Sequence, residues 1–573
     1  MRPPRGAGYT AWDHRRTIKT MTLLLKESTG PVLLIALLLC AACDREATVS
    51  GNVVDESGPV ARATVRIQAT ENETVTDSRG RFTLTGLQDG QAVTVSAWKE
   101  EYYCAKIEQV IPPAQYLKFV LIRYQTDDNP EYEWMPPTGQ ESCATCKPAV
   151  TALWQKNAHA GSAANVRFFN MFNGTDTEGN QSPPTRYSYQ KDYGIIPLPP
   201  DPDKPYYGPG YKLDFPDTTG NCCACHIPGA AVNDPYGIDP NTVSGADTFG
   251  VHCDYCHKVA GVTIDNETGL PYPNMPGVLS SDVRRPFPDD PDRYQLFFGT
   301  FDDDNVPEED TYLPLIEESR FCAPCHFGMF WDTLVYNSFG EWLESPYSDP
   351  ETGQTCQQCH MPAPSVYNGE VITNVAPEEG GIERDPNTIH AHLQLGAMDD
   401  EFLQDALTMN ASARRDNGTV VVEVKIINDN TGHHIPTDSP LRHLILVVEA
   451  KDASGGRLAQ LGGKTIPEWC GQGDPQEGYY AGLPGTAFAK ILEELWTQVW
   501  PTGAYWNHTR LRSDNRIAAM QWDNSTYTFG EPAGGTANVS VKFLFRRAFI
   551  ELMDLKQWDD KDIVMAEQSL SVE

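Results

Sequence analysis

The chain has 573 residues, with 15 cysteines and 13 histidines, and its 78 acidic against 44 basic side chains give a formal charge of −34. So acidic a surface argues against nucleic acid and anionic membrane surfaces as partners. At ~150 residues per domain the length suggests three or four domains, and the patterning below divides the chain at residues 43, 126 and 400.

Residues 1–43 read as a leader. The apolar run Pro31 to Leu39 has signal-peptide length and is too short to span a bilayer. Lys26 precedes it, and Arg15, Arg16 and Lys19 lie further back. The run ends Leu39-Cys40-Ala41-Ala42-Cys43, which resembles a bacterial lipobox with Cys43 as the lipidated residue and departs from that pattern at Cys40. The resemblance implies an exported protein held to a membrane by a lipid anchor at Cys43, in the periplasm or on the outer surface of a bacterium.

Residues 44–126 read as short strands. Val65, Ile67 and Ala69 alternate with Arg66 and Gln68, and Val93, Val95 and Ala97 alternate with Thr94 and Ser96. Turn residues punctuate them at Ser57-Gly58-Pro59, Asp77-Ser78-Arg79-Gly80 and Gln88-Asp89-Gly90. This spacing predicts a β-sandwich. The stretches Val49 to Asp55 and Thr76 to Leu84 resemble the carboxypeptidase regulatory-like domain, which implies a spacer or docking module. Residues 127–135 then read as a linker.

Residues 127–400 carry the chemistry. Five Cys-x-x-Cys pairs are each followed at once by a ligating side chain: Cys143/Cys146-Lys147, Cys222/Cys225-His226, Cys253/Cys256-His257, Cys322/Cys325-His326 and Cys356/Cys359-His360. Zinc ribbons also pair cysteines this way but do not need a His directly after the second. Ferredoxin clusters want three cysteines in a tight Cys-x-x-Cys-x-x-Cys run, which is absent. The pattern is that of covalent c-type haem, with two thiols on the vinyl groups and the next residue on iron. Five haems c are expected in a central domain that is mostly helical and irregular. Asn157 to Phe172 and Ile316 to Trp342 are its best helix candidates. First cysteines are separated by 79, 31, 69 and 34 residues, which predicts that the second motif pairs with the third and the fourth with the fifth. Asp302-Asp303-Asp304 reads as a solvated loop or a calcium site.

Residues 401–573 return to strands at Thr419–Ile427, His443–Ala450 and Val539–Phe545, with a helix expected over Phe488 to Val499. The fold class is therefore multidomain: an N-terminal β-sandwich, a central cytochrome domain and a β-rich C-terminal domain docked on it. Of the leftover cysteines, Cys104 and Cys470 are candidates for a disulfide in an oxidising compartment.

The distal side of each haem decides what it does, because a second His closes the iron and an open face admits substrate. Trp154-Gln155-Lys156-Asn157-Ala158-His159, Thr388-Ile389-His390-Ala391-His392 and Gly432-His433-His434-Ile435-Pro436-Thr437 resemble stretches of multihaem c-type cytochromes over roughly 140–455. That resemblance implies His159, His392 and His433 as distal ligands, ahead of His390, His434, His252 and His443. One Cys-x-x-Cys-Lys motif followed by four Cys-x-x-Cys-His motifs resembles pentahaem cytochrome c nitrite reductase, which implies Lys147 on an open, catalytic haem. That family's Tyr after the third motif is replaced here by Lys258-Val259-Ala260. Three functions follow from these readings: an electron carrier serving redox partner proteins, a nitrite or hydroxylamine reductase at the Lys147 haem, and a structural subunit of a cytochrome assembly.

Overall fold

The computed structural model describes residues 46–287, 295–303 and 310–573. The leader with Cys43, and Asp304, lie outside the described residues. The alternating N-terminal segment folds as two packed sheets. Strand Glu46–Asp55 pairs antiparallel with Arg81–Gln88 and parallel with Ala114–Val120. The second sheet runs in the order Glu73–Val75, Thr64–Ile67, Val93–Trp98, Ala105–Val110. Inward residues Val49, Val53, Val65, Phe82, Leu84 and Val95 fill the space between them. Gly51 has no alternative, since a Cβ there would meet the Leu117 carbonyl oxygen at 2.1 Å.

The middle of the chain is built from short turns. The helix expected over Asn157–Phe172 forms only over Val166–Asn173, because Asn165 caps it by accepting from the Phe168 amide at 3.1 Å. The helix expected over Ile316–Trp342 is instead a hairpin, Gly328–Phe330 with Thr333–Tyr336, followed by a short helix, Ser338–Leu343. Its Phe, Trp, Thr, Val and Tyr residues suit a pleated strand better than a helix. Residues 127–135 are packed down. Asp128 pairs with Arg285, and the Tyr132 hydroxyl and Met135 amide donate to Asp254 at 2.9 and 2.8 Å. Asp254 also pairs with the fully buried Lys258 at 2.5 Å.

Asp302 and Asp303 belong to the contact between the first two domains. Asp302 pairs with Arg66 of the sandwich at 2.9 Å, while Asp303 pairs with Arg384 and accepts from the Ala69 amide at 2.7 Å. With those oxygens engaged, neither a calcium site nor a solvated loop describes them, and no described group of three or more His, Cys, Asp or Glu could hold an ion.

The C-terminal segment is a second two-sheet sandwich. One sheet holds Thr408–Asp416, Thr419–Ile427, Trp522–Phe529 and Gln460–Gly462 in that order. The other holds Thr509–Asp514, Gly485–Glu494, His443–Asp452, Ala537–Arg546 and Ile563–Val572. Val420, Val422, Leu444, Leu446, Tyr527 and Phe543 form the core. The helix expected from Phe488 is strand Gly485–Glu494, buried along its whole length between two neighbours. Burial on both faces removes the alternation that marks a strand in sequence. Cys104 and Cys470 form no disulfide. The first lies beside the Asp310 carbonyl at the N-terminal sandwich and the second in the core of the C-terminal one.

Glu341 fastens the C-terminal sandwich to the middle domain. It accepts from the Arg516 guanidinium at 2.7 Å, the Thr437 hydroxyl at 2.6 Å and the His434 amide at 3.1 Å. Burial alone would raise its pKa, but His434, Arg516 and Thr437 bring it down to about 2. A folded pKa below the ordinary 4.5 means a contribution present above 4.5 and lost as pH falls toward 2. Glu341→Ala should cost about 3 kcal/mol, the low end for breaking a buried pair because Arg516 keeps Asp514. A variant that unfolds in guanidinium at the wild-type midpoint would exclude this docking role.

Candidate functional site

A Cys-x-x-Cys spacing puts both thiols on one face only if the segment is helical. All five motifs fold as one short helical turn: Cys143–Cys146, Cys223–His226, Cys253–Cys256, Ala323–His326 and Cys356–His360. Local caps hold them. Thr355 and Gln358 form a capping box on the fifth. His252 caps the third by accepting from the Tyr255 amide at 3.2 Å, which takes it out of the set of ligand candidates. The turns surround one branched cavity of about 1170 Å³, lined by Lys147, by motif cysteines and by aromatic side chains.

Imidazoles face one another in three pairs, and His159, His257, His326 and His392 line this cavity. His257 and His392 have ring centres 6.3 Å apart and nearly parallel planes. His360 and His433 are 6.2 Å apart, also nearly parallel. His159 and His326 are 6.2 Å apart with perpendicular planes. A histidine nitrogen binds a transition metal at about 2.0–2.1 Å, so two imidazoles on opposite sides of one ion have ring centres roughly 6.2–6.4 Å apart. The spacing fits an iron between each pair. Ligation also needs neutral rings. Burial lowers the pKa of His159, His392 and His360 to about 4 and lowers those of His257 and His433 as well.

The outward nitrogens are held too. His257 Nδ1 meets the Phe298 carbonyl and His360 Nδ1 the Leu395 carbonyl, both at 2.5 Å. His326 differs, because its Nδ1 lies 2.9 Å from a carboxylate oxygen of Asp438. Burial would lower the His326 pKa, yet Asp438 raises it to about 9. Ser338 donates to the other carboxylate oxygen at 3.0 Å and keeps Asp438 in place. Sequence reasoning missed Asp438, although it sits five residues after His433 on the same turn.

The order of the motifs in space differs from the order expected. The fourth and fifth adjoin, with Cys322 and Cys356 in hydrogen-bonding contact. The second adjoins the fourth through Cys225 and Cys325, and the third adjoins the first through Cys253 and Cys143. Short sequence gaps therefore predicted one pair and missed two. Lys147 lines the cavity within electrostatic reach of His257 and His392. His226 is stacked on Phe168, ring centres 4.3 Å apart. His390 lines the cavity with Nδ1 held by the Met361 carbonyl at 2.7 Å. His443 is fully buried against Phe549, His434 lies beside Glu341, and His508 stacks on Trp331.

Residues 48–117 match the carboxypeptidase regulatory-like domain. Among solved structures, a penta-haem cytochrome c552 from Thermochromatium tepidum is similar at 18% identity and a TM-score of 0.50, over 77% of this chain and 100% of that one. A cohesin–X-dockerin complex from Acetivibrio cellulolyticus is similar over 14% of this chain and 58% of that one, at 25% identity and a TM-score of 0.13. No curated protein matches. The first likeness establishes a shared fold. The chain is a multidomain protein with an N-terminal β-sandwich, a mixed middle region and a β-rich C-terminal part. Its five Cys-x-x-Cys pairs have the spacing that covalent attachment of haem c needs. No helix of the described residues is long and apolar enough to cross a membrane.

Proposed function

We propose that this protein is an exported pentahaem c-type cytochrome that relays electrons along five covalently bound haems. The three imidazole pairs at 6.2–6.3 Å carry this reading. Cys143 and Cys146, Cys222 and Cys225, Cys253 and Cys256, Cys322 and Cys325, and Cys356 and Cys359 are the attachment thiols. Lys147, His226, His257, His326 and His360 are the proximal ligands. His392 with His257, His159 with His326 and His433 with His360 would hold the third, fourth and fifth irons. Bound haem would supply one-electron iron chemistry. The chain's own part is to keep His159, His257, His360, His392 and His433 neutral and buried, and to hold His326 against the Asp438 carboxylate. Bis-histidine closure suits electron transfer and not substrate binding. The contacts between motifs, first to third and fourth to both second and fifth, support conduction between neighbours. The structure similar to this one also bears the name cytochrome c552.

The partners of this reading are redox proteins, and the N-terminal sandwich is a docking module. Lipidation at Cys43 would hold the protein to a bacterial membrane. A second reading, reduction of nitrite or hydroxylamine at the Lys147 haem, rests on the lysine that replaces His in the first motif alone.

Intact mass after acid extraction should show five haems, and dye-reduced protein should turn over neither nitrite nor hydroxylamine. Four haems would mean that the Lys147 motif is unloaded, and brisk turnover would replace the carrier reading with the reductase. His433→Ala is expected to convert one low-spin haem to high spin by electron paramagnetic resonance, and an unchanged spectrum would reject His433 as a ligand. A carboxylate on Nδ1 makes an imidazole a stronger donor and favours ferric iron. Asp438→Asn should therefore move one midpoint potential upward in a spectroelectrochemical titration and leave the other four in place. Five unmoved midpoints would mean that Asp438 serves only packing.

A further inference from the structure

Three imidazole pairs account for His257, His326 and His360, and the second motif is left different from these. His226 meets no second imidazole among the described residues. His252, His434, His443 and His508 are each engaged elsewhere by the contacts given above, and none lines the cavity. His390 does line it, but its Nδ1 is tied to Met361 beside the fifth motif, and it is two residues from His392, which faces His257.

The wall beside Cys222 and Cys225 is instead phenolic and aromatic. Tyr336, from the hairpin that replaces the expected helix, and Tyr505, from the C-terminal sandwich, have ring centres 5.2 Å apart. Phe330 packs against both, at 5.8 and 5.6 Å. The two phenols are in hydrogen-bonding contact, and both lie within electrostatic reach of Cys222 and Cys225. Burial raises the pKa of both, that of Tyr505 to about 12, so each keeps its proton; Tyr336 donates to Tyr505, and the Tyr505 hydroxyl is left to donate. The same cavity is lined by Tyr236 and Trp331, which are 53% and 46% exposed, so this end opens to solvent.

We propose that the second motif, Cys222 to His226, holds a ligand-accepting iron, and that Tyr505, accepting from Tyr336, donates a hydrogen bond to what binds there. The ligand class is a small molecule that offers one lone pair to iron and accepts a hydrogen bond at a second atom, as carbon monoxide and the nitrogen oxides do. This rests on the cytochrome reading and differs from the reductase alternative, which places the open iron at Lys147.

The test uses the intact five-haem protein and carbon monoxide as probe. The dithionite-reduced protein should bind carbon monoxide, counted by difference absorption. Tyr505→His brings an imidazole to this wall and should remove one equivalent. Tyr505→Phe, which keeps the packing, should weaken binding by roughly 2- to 10-fold, the worth of one hydrogen bond, and Tyr336→Phe, which acts through Tyr505, should weaken it less. They should also raise the C–O stretching frequency in the infrared. Lys147→His should leave this equivalent untouched. Carbon monoxide uptake that survives Tyr505→His, or the same infrared band in both Phe variants, would overturn the assignment. So would loss of uptake in Lys147→His alone. Five haems by mass with no uptake at all would sink this inference and leave the electron carrier standing, whereas a mass without haem would sink both.

Discussion

Imidazoles held in pairs 6.2–6.3 Å apart set the terms for the rest of this structure. Burial favours the neutral form of five of these six rings, the exception being His326 beside Asp438, and neutral rings are the form that ligates a metal. Each ring must also be held at its far nitrogen, or its direction is lost. Backbone carbonyls do this for His257 and His360, and a carboxylate does it for His326. The middle domain can therefore be short in regular structure. Its many small turns pack against the cavity wall and its caps, with few contiguous apolar clusters of their own.

A domain of that kind needs bracing from outside, and the two sandwiches supply it. The N-terminal sandwich grips the segment around Asp302 and Asp303 through Arg66 and the Ala69 amide. The C-terminal sandwich reaches in more deeply. Its turn 432–438 carries His433 and Asp438, and its loop near residue 505 closes the aromatic wall. Glu341 and Arg516 lock that turn to the helix after the hairpin. The buried ammonium of Lys556 does similar work at another point, donating to the carbonyls of Asn170, Thr175 and Pro209. Both β-domains are thus part of the site's geometry.

The environments of the motif histidines are unequal. His326 faces a buried carboxylate, His257 and His360 face neutral carbonyls, and His226 is clamped by a phenyl ring. Unequal outer partners are how a protein gives chemically identical haems different potentials. The difference among these positions comes from residues far away in sequence and not from the motifs, which apart from Lys147 share one pattern.

Local chemistry was legible in the sequence. The five attachment turns depend on an i, i+3 spacing, and the sandwiches on a period of two, so neighbouring residues suffice to read them. His159, His392 and His433 were named from short stretches, but nothing in those stretches said which motif each would face. The strand at Gly485 and the hairpin at Gly328 were misread because burial on both faces and aromatic composition hide the strand period. Asp438 meets His326 across 112 positions, and the Cys253 thiol meets Cys143 instead of the nearer second motif. Such choices depend on how whole domains pack. Local spacing determined where the thiols and proximal ligands sit, and tertiary structure alone decided which ring, carboxylate or phenol stands opposite each of them.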